Sequence, residues 1–81
     1  MEKLRLYIAT YCPYSRRVTF FIKDHNLQNI EIVDINKDKE ARDYLNRVGG
    51  RSQTPCLFIG EKPLYESNDI INYLYRNFVK E

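Results

Sequence analysis

Only two cysteines and one histidine occur among the 81 residues, and that scarcity removes two common architectures. Cys12 and Cys56 stand 44 positions apart, too few thiols for a disulfide framework. With His25 as the sole histidine, they cannot supply the four closely spaced ligands of a structural zinc site. Long apolar runs are missing too. Nothing approaches the roughly 20 residues that span a bilayer, and Met1-Glu2-Lys3-Leu4-Arg5 lacks the apolar core of a secretory signal. A cytoplasmic protein without a membrane partner is expected. The net charge of +2, with bases interleaved among acids, argues against a nucleic-acid partner. Repeats, linkers and low-complexity segments are absent. What remains, 43% hydrophobic and 30% charged residues, is the composition of a globular protein. The length predicts one domain over residues 1–81, with a modest core and no second domain, taken as a monomer.

The chain is organised around Thr10-Tyr11-Cys12-Pro13-Tyr14-Ser15-Arg16-Arg17. It follows the β-favouring run Leu4–Ala9 and precedes Val18, Phe21 and Ile22 at helical spacing. That is a strand, a tight turn and a helix start. Proline suits the first helical position, where a missing N–H costs nothing, so Cys12 is predicted to be the N-cap. A sulfur there faces unpaired backbone N–H groups and the positive end of the helix dipole. Arg16 and Arg17 in the first turn add positive potential. Cysteines in such settings fall from a pKa of about 8.5 to roughly 3.5–7.5, which makes the thiolate the expected form.

The remaining elements follow in order. Residues 3–9 form a strand with the apolar character of an interior position. Helix one is predicted from Pro13 to about Leu27, with His25 a surface residue near its end. Residues 30–35 form a second strand. Residues 36–48 form a second helix, with Ala41, Tyr44, Leu45 and Val48 on one face, stopped by Gly49-Gly50. Strand, helix, strand implies parallel pairing with a right-handed crossover. Residues 55–59 and 62–65 form a hairpin. Ser67 is expected to cap a last helix whose buried stripe is Ile70, Ile71, Leu74 and Phe78.

Three segments together carry a family resemblance. Cys12-Pro13-Tyr14-Ser15 resembles the Cys-Pro-Tyr-Cys active-site motif of glutaredoxins in a single-thiol form. Gly49-Gly50-Arg51-Ser52-Gln53-Thr54-Pro55 resembles that family's Gly-Arg-Thr-Thr-Val-Pro segment. Glu66-Ser67-Asn68-Asp69 stands where the family has a Gly-Gly-x-Asp-like turn opening the last helix. The resemblance implies an α/β, thioredoxin-like fold, βαβαββα, whose four-stranded mixed sheet is flanked by helices on both faces. It also implies a cis-proline at Pro55 and a strand edge at Thr54 on which an extended peptide-like ligand, glutathione, pairs.

By the same resemblance, the γ-glutamyl carboxylate of glutathione falls on the backbone N–H groups of Ser67 and Asn68 at a helix N-terminus. Asp69 or Glu66 holds its amino group. The glycine carboxylate needs a cation, with Arg51, Arg47 and Arg16 as candidates, because Ala9 stands where the family often has a lysine. Tyr14 completes the expected contacts. Glutathione is thus the co-substrate, no metal is expected, and the partners are glutathionylated proteins or small disulfides. Cys12 is the expected nucleophile of thiol–disulfide exchange.

Ser15 occupies the position of the resolving cysteine in two-thiol relatives. It is read either as a hydrogen-bond partner of the sulfur or as an inert helix residue, and it is also the isostere an engineered replacement would use. Cys56, in an apolar strand, is read as core, with the rival reading that it resolves a disulfide from Cys12. Two further functions stay open. Glu66-Ser67 before a helix also resembles the glutathione-binding segment of glutathione transferases, whose N-terminal domain shares this fold. Single-thiol glutaredoxins with Cys-Gly-Phe-Ser carry iron–sulfur clusters between two copies, a reading that a visible absorption band after anaerobic reconstitution would support.

Overall fold

Apolar side chains alternate along the strands, and in the computed structural model, which describes residues 3–79, both faces of the sheet are consequently covered. The strands β1 (Leu4–Ile8), β2 (Ile30–Asp34), β3 (Cys56–Ile59) and β4 (Lys62–Tyr65) lie in the order β2-β1-β3-β4. β1 runs parallel to β2, with Leu6 opposite Ile32, and antiparallel to β3, with Leu6 opposite Leu57. β3 and β4 form the antiparallel hairpin. This is the mixed α/β sheet expected, with β1 and β3 interior.

The helices α1 (Pro13–Asp24), α2 (Lys39–Gly49) and α3 (Ser67–Leu74) supply the covers. On one face Leu4, Leu6 and Leu57 pack with Val18 and Ile22 of α1 and with Ile70 and Leu74 of α3. On the other, Tyr7, Cys56 and Phe58 pack with Ala41 and Leu45 of α2. The strand-to-helix turn that carries Cys12 therefore opens at the edge shared by β1, α1 and α3.

Helix boundaries differ from the sequence expectation at three places. α1 ends at Asp24 rather than near Leu27, because Asn26 turns left-handed (φ 53°) and Leu27 N–H bonds back to the Ile22 carbonyl at 3.0 Å. This is a Schellman closure with asparagine in the glycine place. α2 begins three residues later than expected. Asn36 is engaged elsewhere, and Asp38 is the N-cap, its carboxylate accepting from Ala41 N–H at 3.2 Å. Gly50 (φ 88°) ends that helix as anticipated.

At α3 the cap is Glu66, and Ser67 is the first helical residue. The buried stripe is also shorter: Ile70 and Leu74 are buried, but Tyr75–Val79 widen into a π-helical turn and Phe78 is 42% exposed.

Candidate active site

Cys12 takes an extended conformation (φ −100°, ψ 114°) immediately before Pro13, the first residue of α1. It is the N-cap, as its proline neighbour dictates. The turn before it is pinned from both sides. Cys12 N–H donates to the Ala9 carbonyl at 3.3 Å, Thr10 N–H donates to Asn36 Oδ1 at 2.8 Å, and the Thr10 hydroxyl donates to Asp34 Oδ2 at 2.6 Å. Partial burial pushes the Asp34 carboxyl up, but donation from the Thr10 hydroxyl and the Asn36 N–H outweighs it and holds the group below its ordinary value. The end of β2 thus clamps the loop that presents the thiol.

The Cys12 thiol is half-buried, and as a neutral group it donates to the Thr54 carbonyl at 3.7 Å rather than capping the helix. Burial raises its pKa, and it is outweighed. The Ser15 hydroxyl, the Thr54 side chain and the N–H groups of Ser15 and Tyr14 favour the anion and leave Cys12 below the usual thiol value. Ser15 is 1% exposed, and its oxygen accepts from Ala9 N–H at 3.3 Å, which turns its own proton toward the sulfur. The local hydroxyl and amides carry this shift rather than Arg16 and Arg17.

Replacing Ser15 with alanine should therefore move the alkylation midpoint of Cys12 up toward about 8.5. At pH 6 alkylation should slow about tenfold, the worth of one hydrogen bond to a charge, about 1.5 kcal/mol. Iodoacetamide trapping across pH reads this, and an unchanged midpoint would show that the hydroxyl does not act on the sulfur.

Beside the sulfur runs a groove of about 400 Å³ lined by Tyr14, Arg17, Gln53, Thr54, Pro55, Glu66, Ser67 and Asn68. The Thr54–Pro55 peptide is cis. Arg17 Nη1 donates to Ser67 Oγ at 3.2 Å, and Gln53 Nε2 donates to Glu66 Oε2 at 3.2 Å. The groove thus ends at the N-terminus of α3, where free N–H groups and an arginine meet an anion favourably.

Four expected contacts are not brought here. Arg16 projects into a neighbouring groove. The guanidinium of Arg47 stands 5.9 Å from the Tyr44 ring, on the helix that covers the opposite face of the sheet, and that of Arg51 lies 4.2 Å over the Tyr65 ring. Asp69 sits exposed in the first turn of α3, outside the lining. Arg17, expected only to add positive potential near the sulfur, and Gln53 also line the groove, although neither is among the contacts expected from the sequence. Arg17 shares the face of Tyr14, three residues before it, and Gln53 directly precedes Thr54.

Cys56 is fully buried among the α2-side core, and burial pushes its thiol up to about 11. It is inert at neutral pH in the folded chain.

Glu66 carries a strained backbone, φ 73° and ψ 121°, a region suited to glycine. Relief of that strain exceeds the entropy that glycine loses on folding. Glu66→Gly should thus stabilise the fold by about 1 kcal/mol while removing a carboxylate from the groove. A urea melt checks the first effect, and a lowered midpoint would contradict it.

The family model described as Glutaredoxin matches residues 4–64. An uncharacterized monothiol glutaredoxin of Caenorhabditis elegans is 32% identical over 64 residues, 75% of this chain and 44% of that protein. A chloroplastic glutathione S-transferase of Arabidopsis thaliana is 35% identical over 75 residues, 91% of this chain and 26% of that protein. The chain thus spans less than half the length of these two relatives. The crystal structure of a holo glutaredoxin from Populus tremula x tremuloides superposes with a TM-score of 0.68 at 22% identity, covering 94% of this chain and 77% of that one. The last likeness speaks for the fold.

Proposed function

Because this chain belongs to the glutaredoxin family, we propose that it is a thiol–disulfide oxidoreductase that reduces glutathionyl mixed disulfides with glutathione. One observation carries the reading: a thiol held below its ordinary pKa by local hydrogen bonds lies beside a groove that ends at a helix N-terminus and an arginine. An anionic sulfur without a receptor groove would be only a reactive site. A groove without the thiol would be only a binding site.

Glutathione lies along the groove, its peptide pairing with the backbone of Thr54 and its γ-glutamyl carboxylate against Ser67, Asn68 and Arg17. Glu66 receives its ammonium group. The Cys12 thiolate attacks the glutathione sulfur of a mixed disulfide. The new bond joins Cys12 to glutathione, the old disulfide breaks, and the substrate leaves as thiolate. A second glutathione thiolate then attacks the adduct, restoring Cys12 and forming glutathione disulfide. One reduced glutathione is consumed: the substrate sulfur is released as a thiol, and the disulfide bond passes to glutathione disulfide. Neither step requires a thiol at position 15. Reduced glutathione comes from the surrounding compartment, which we take to be the cytoplasm.

A second reading draws on Glu66-Ser67 at α3 and on the similarity to the Arabidopsis transferase. There the same groove would hold glutathione for transfer to an electrophile. Parallel assays separate the two: reduction of the cysteine–glutathione mixed disulfide, and conjugation of an aromatic halide. The exchange reading expects turnover in the first assay only. Conjugation without disulfide reduction would replace it.

A further inference from the structure

Six large apolar side chains are exposed among the described residues, and three of them stand on the Cys12 loop and on α1: Tyr11 at 88%, Tyr14 at 62% and Phe20 at 60%. Aromatic surface concentrated in this way marks a place of contact. Tyr11 and Phe20, with Pro13, Arg16 and Arg17, line a second groove of about 310 Å³. It adjoins the glutathione groove, since Arg17 lines both, and Tyr11 and Pro13 flank Cys12 in the chain. Its charge is of one sign. No acidic residue lines it, the first turn of α1 carries none, and among the described residues neither arginine lies within salt-bridge distance of a carboxylate.

We propose that this second groove receives the polypeptide half of the substrate, through a segment that sets an Asp or Glu and an apolar side chain beside its glutathionylated cysteine. The proposal rests on the exchange reading of Cys12 and adds which proteins that reaction takes. When the thiolate attacks the glutathione sulfur, the substrate sulfur is the leaving group. The substrate chain is then next to Cys12 but outside the glutathione groove. The adjoining concave surface offers aromatic faces for an apolar side chain and, with Arg17 turned to the glutathione carboxylate, the Arg16 guanidinium for a carboxylate. A small disulfide has nothing to place there, so the groove discriminates among proteins without affecting the exchange itself.

The test uses two peptides of equal length, each with one glutathionylated cysteine. One carries Asp and Phe beside it and the other Lys and Gly; the cysteine–glutathione mixed disulfide serves as the small substrate. The unmodified protein should reduce the acidic peptide about tenfold faster in kcat/KM than the basic one, with the ratio shrinking as salt rises. Phe20→Glu changes an exposed position on the outer face of α1 and places a negative charge in the groove. It should abolish the preference and leave the small disulfide unaffected. Equal rates on both peptides with the unmodified protein would overturn the proposal, as would a preference that survives both Phe20→Glu and Arg16→Glu. Failure to turn over even the small disulfide would overturn the exchange reading beneath it, so the two failures are distinguishable.

Discussion

Cys12→Ser should reduce turnover of a glutathionyl mixed disulfide to the uncatalysed background, a loss on the order of a thousandfold or more. A serine hydroxyl forms no exchangeable bond with a disulfide sulfur, so the covalent intermediate disappears rather than forming slowly. The other sulfur cannot substitute. Cys56 is fully buried on the α2 side of the sheet and holds its proton up to about pH 11. The substitution is nearly isosteric at a half-buried turn position, so stability should move by no more than about 0.5 kcal/mol. A loss with an unchanged melt is then chemical. Rate above background in this variant would show that Cys12 is not the nucleophile.

The second large effect is expected at Ser15, and it changes the product rather than the rate. In the protein as it stands, a glutathione adduct on Cys12 has a hydroxyl as its nearest neighbour along α1, close enough to hydrogen-bond the sulfur. With oxidised glutathione and no reduced glutathione, the mixed disulfide should accumulate. Ser15→Cys puts a sulfur in that buried place, one turn along the same helix face. The new thiol displaces glutathione and closes a bond to Cys12. Intact mass should show one glutathionyl group on the Ser15 protein. The variant should carry no adduct and weigh two hydrogens less. A lighter, adduct-free species from the Ser15 protein would mean that Cys56 reaches Cys12, against its place in the core.

The parts legible in the sequence were those set by local chemistry. Pro13 fixes where α1 starts and so makes Cys12 the cap. Gly50 fixes where α2 stops, whereas the covering of both sheet faces, seen in the two core clusters, followed from the family resemblance and not from periodicity. The misplaced parts depended on partners distant in sequence. Asn36 looked like a helix start, but its backbone N–H and its side chain are taken by the clamp that joins β2 to the Cys12 loop. Ser67 looked like a cap, yet Glu66 makes the turn with a left-handed backbone and Ser67 receives Arg17 instead.

The choice among arginines was illegible for a simpler reason. Neighbouring residues on a helix point about 100° apart, so Arg17 reaches the groove beside the sulfur while Arg16 lines only the second one, although the sequence gives them one charge and one place. Arg47 and Arg51 are held by aromatic rings whose positions only the packed sheet determines.

Transfer of the glutathionyl group itself tests the central claim most directly. The protein is mixed with a stoichiometric amount of a peptide carrying one glutathionylated cysteine, without free glutathione, and the products are resolved by mass and mapped by digestion. The peptide should emerge as its free thiol, and the protein should gain one glutathionyl group on Cys12. A protein that gains the peptide instead, carries the adduct on Cys56, or leaves the peptide untouched would contradict the account.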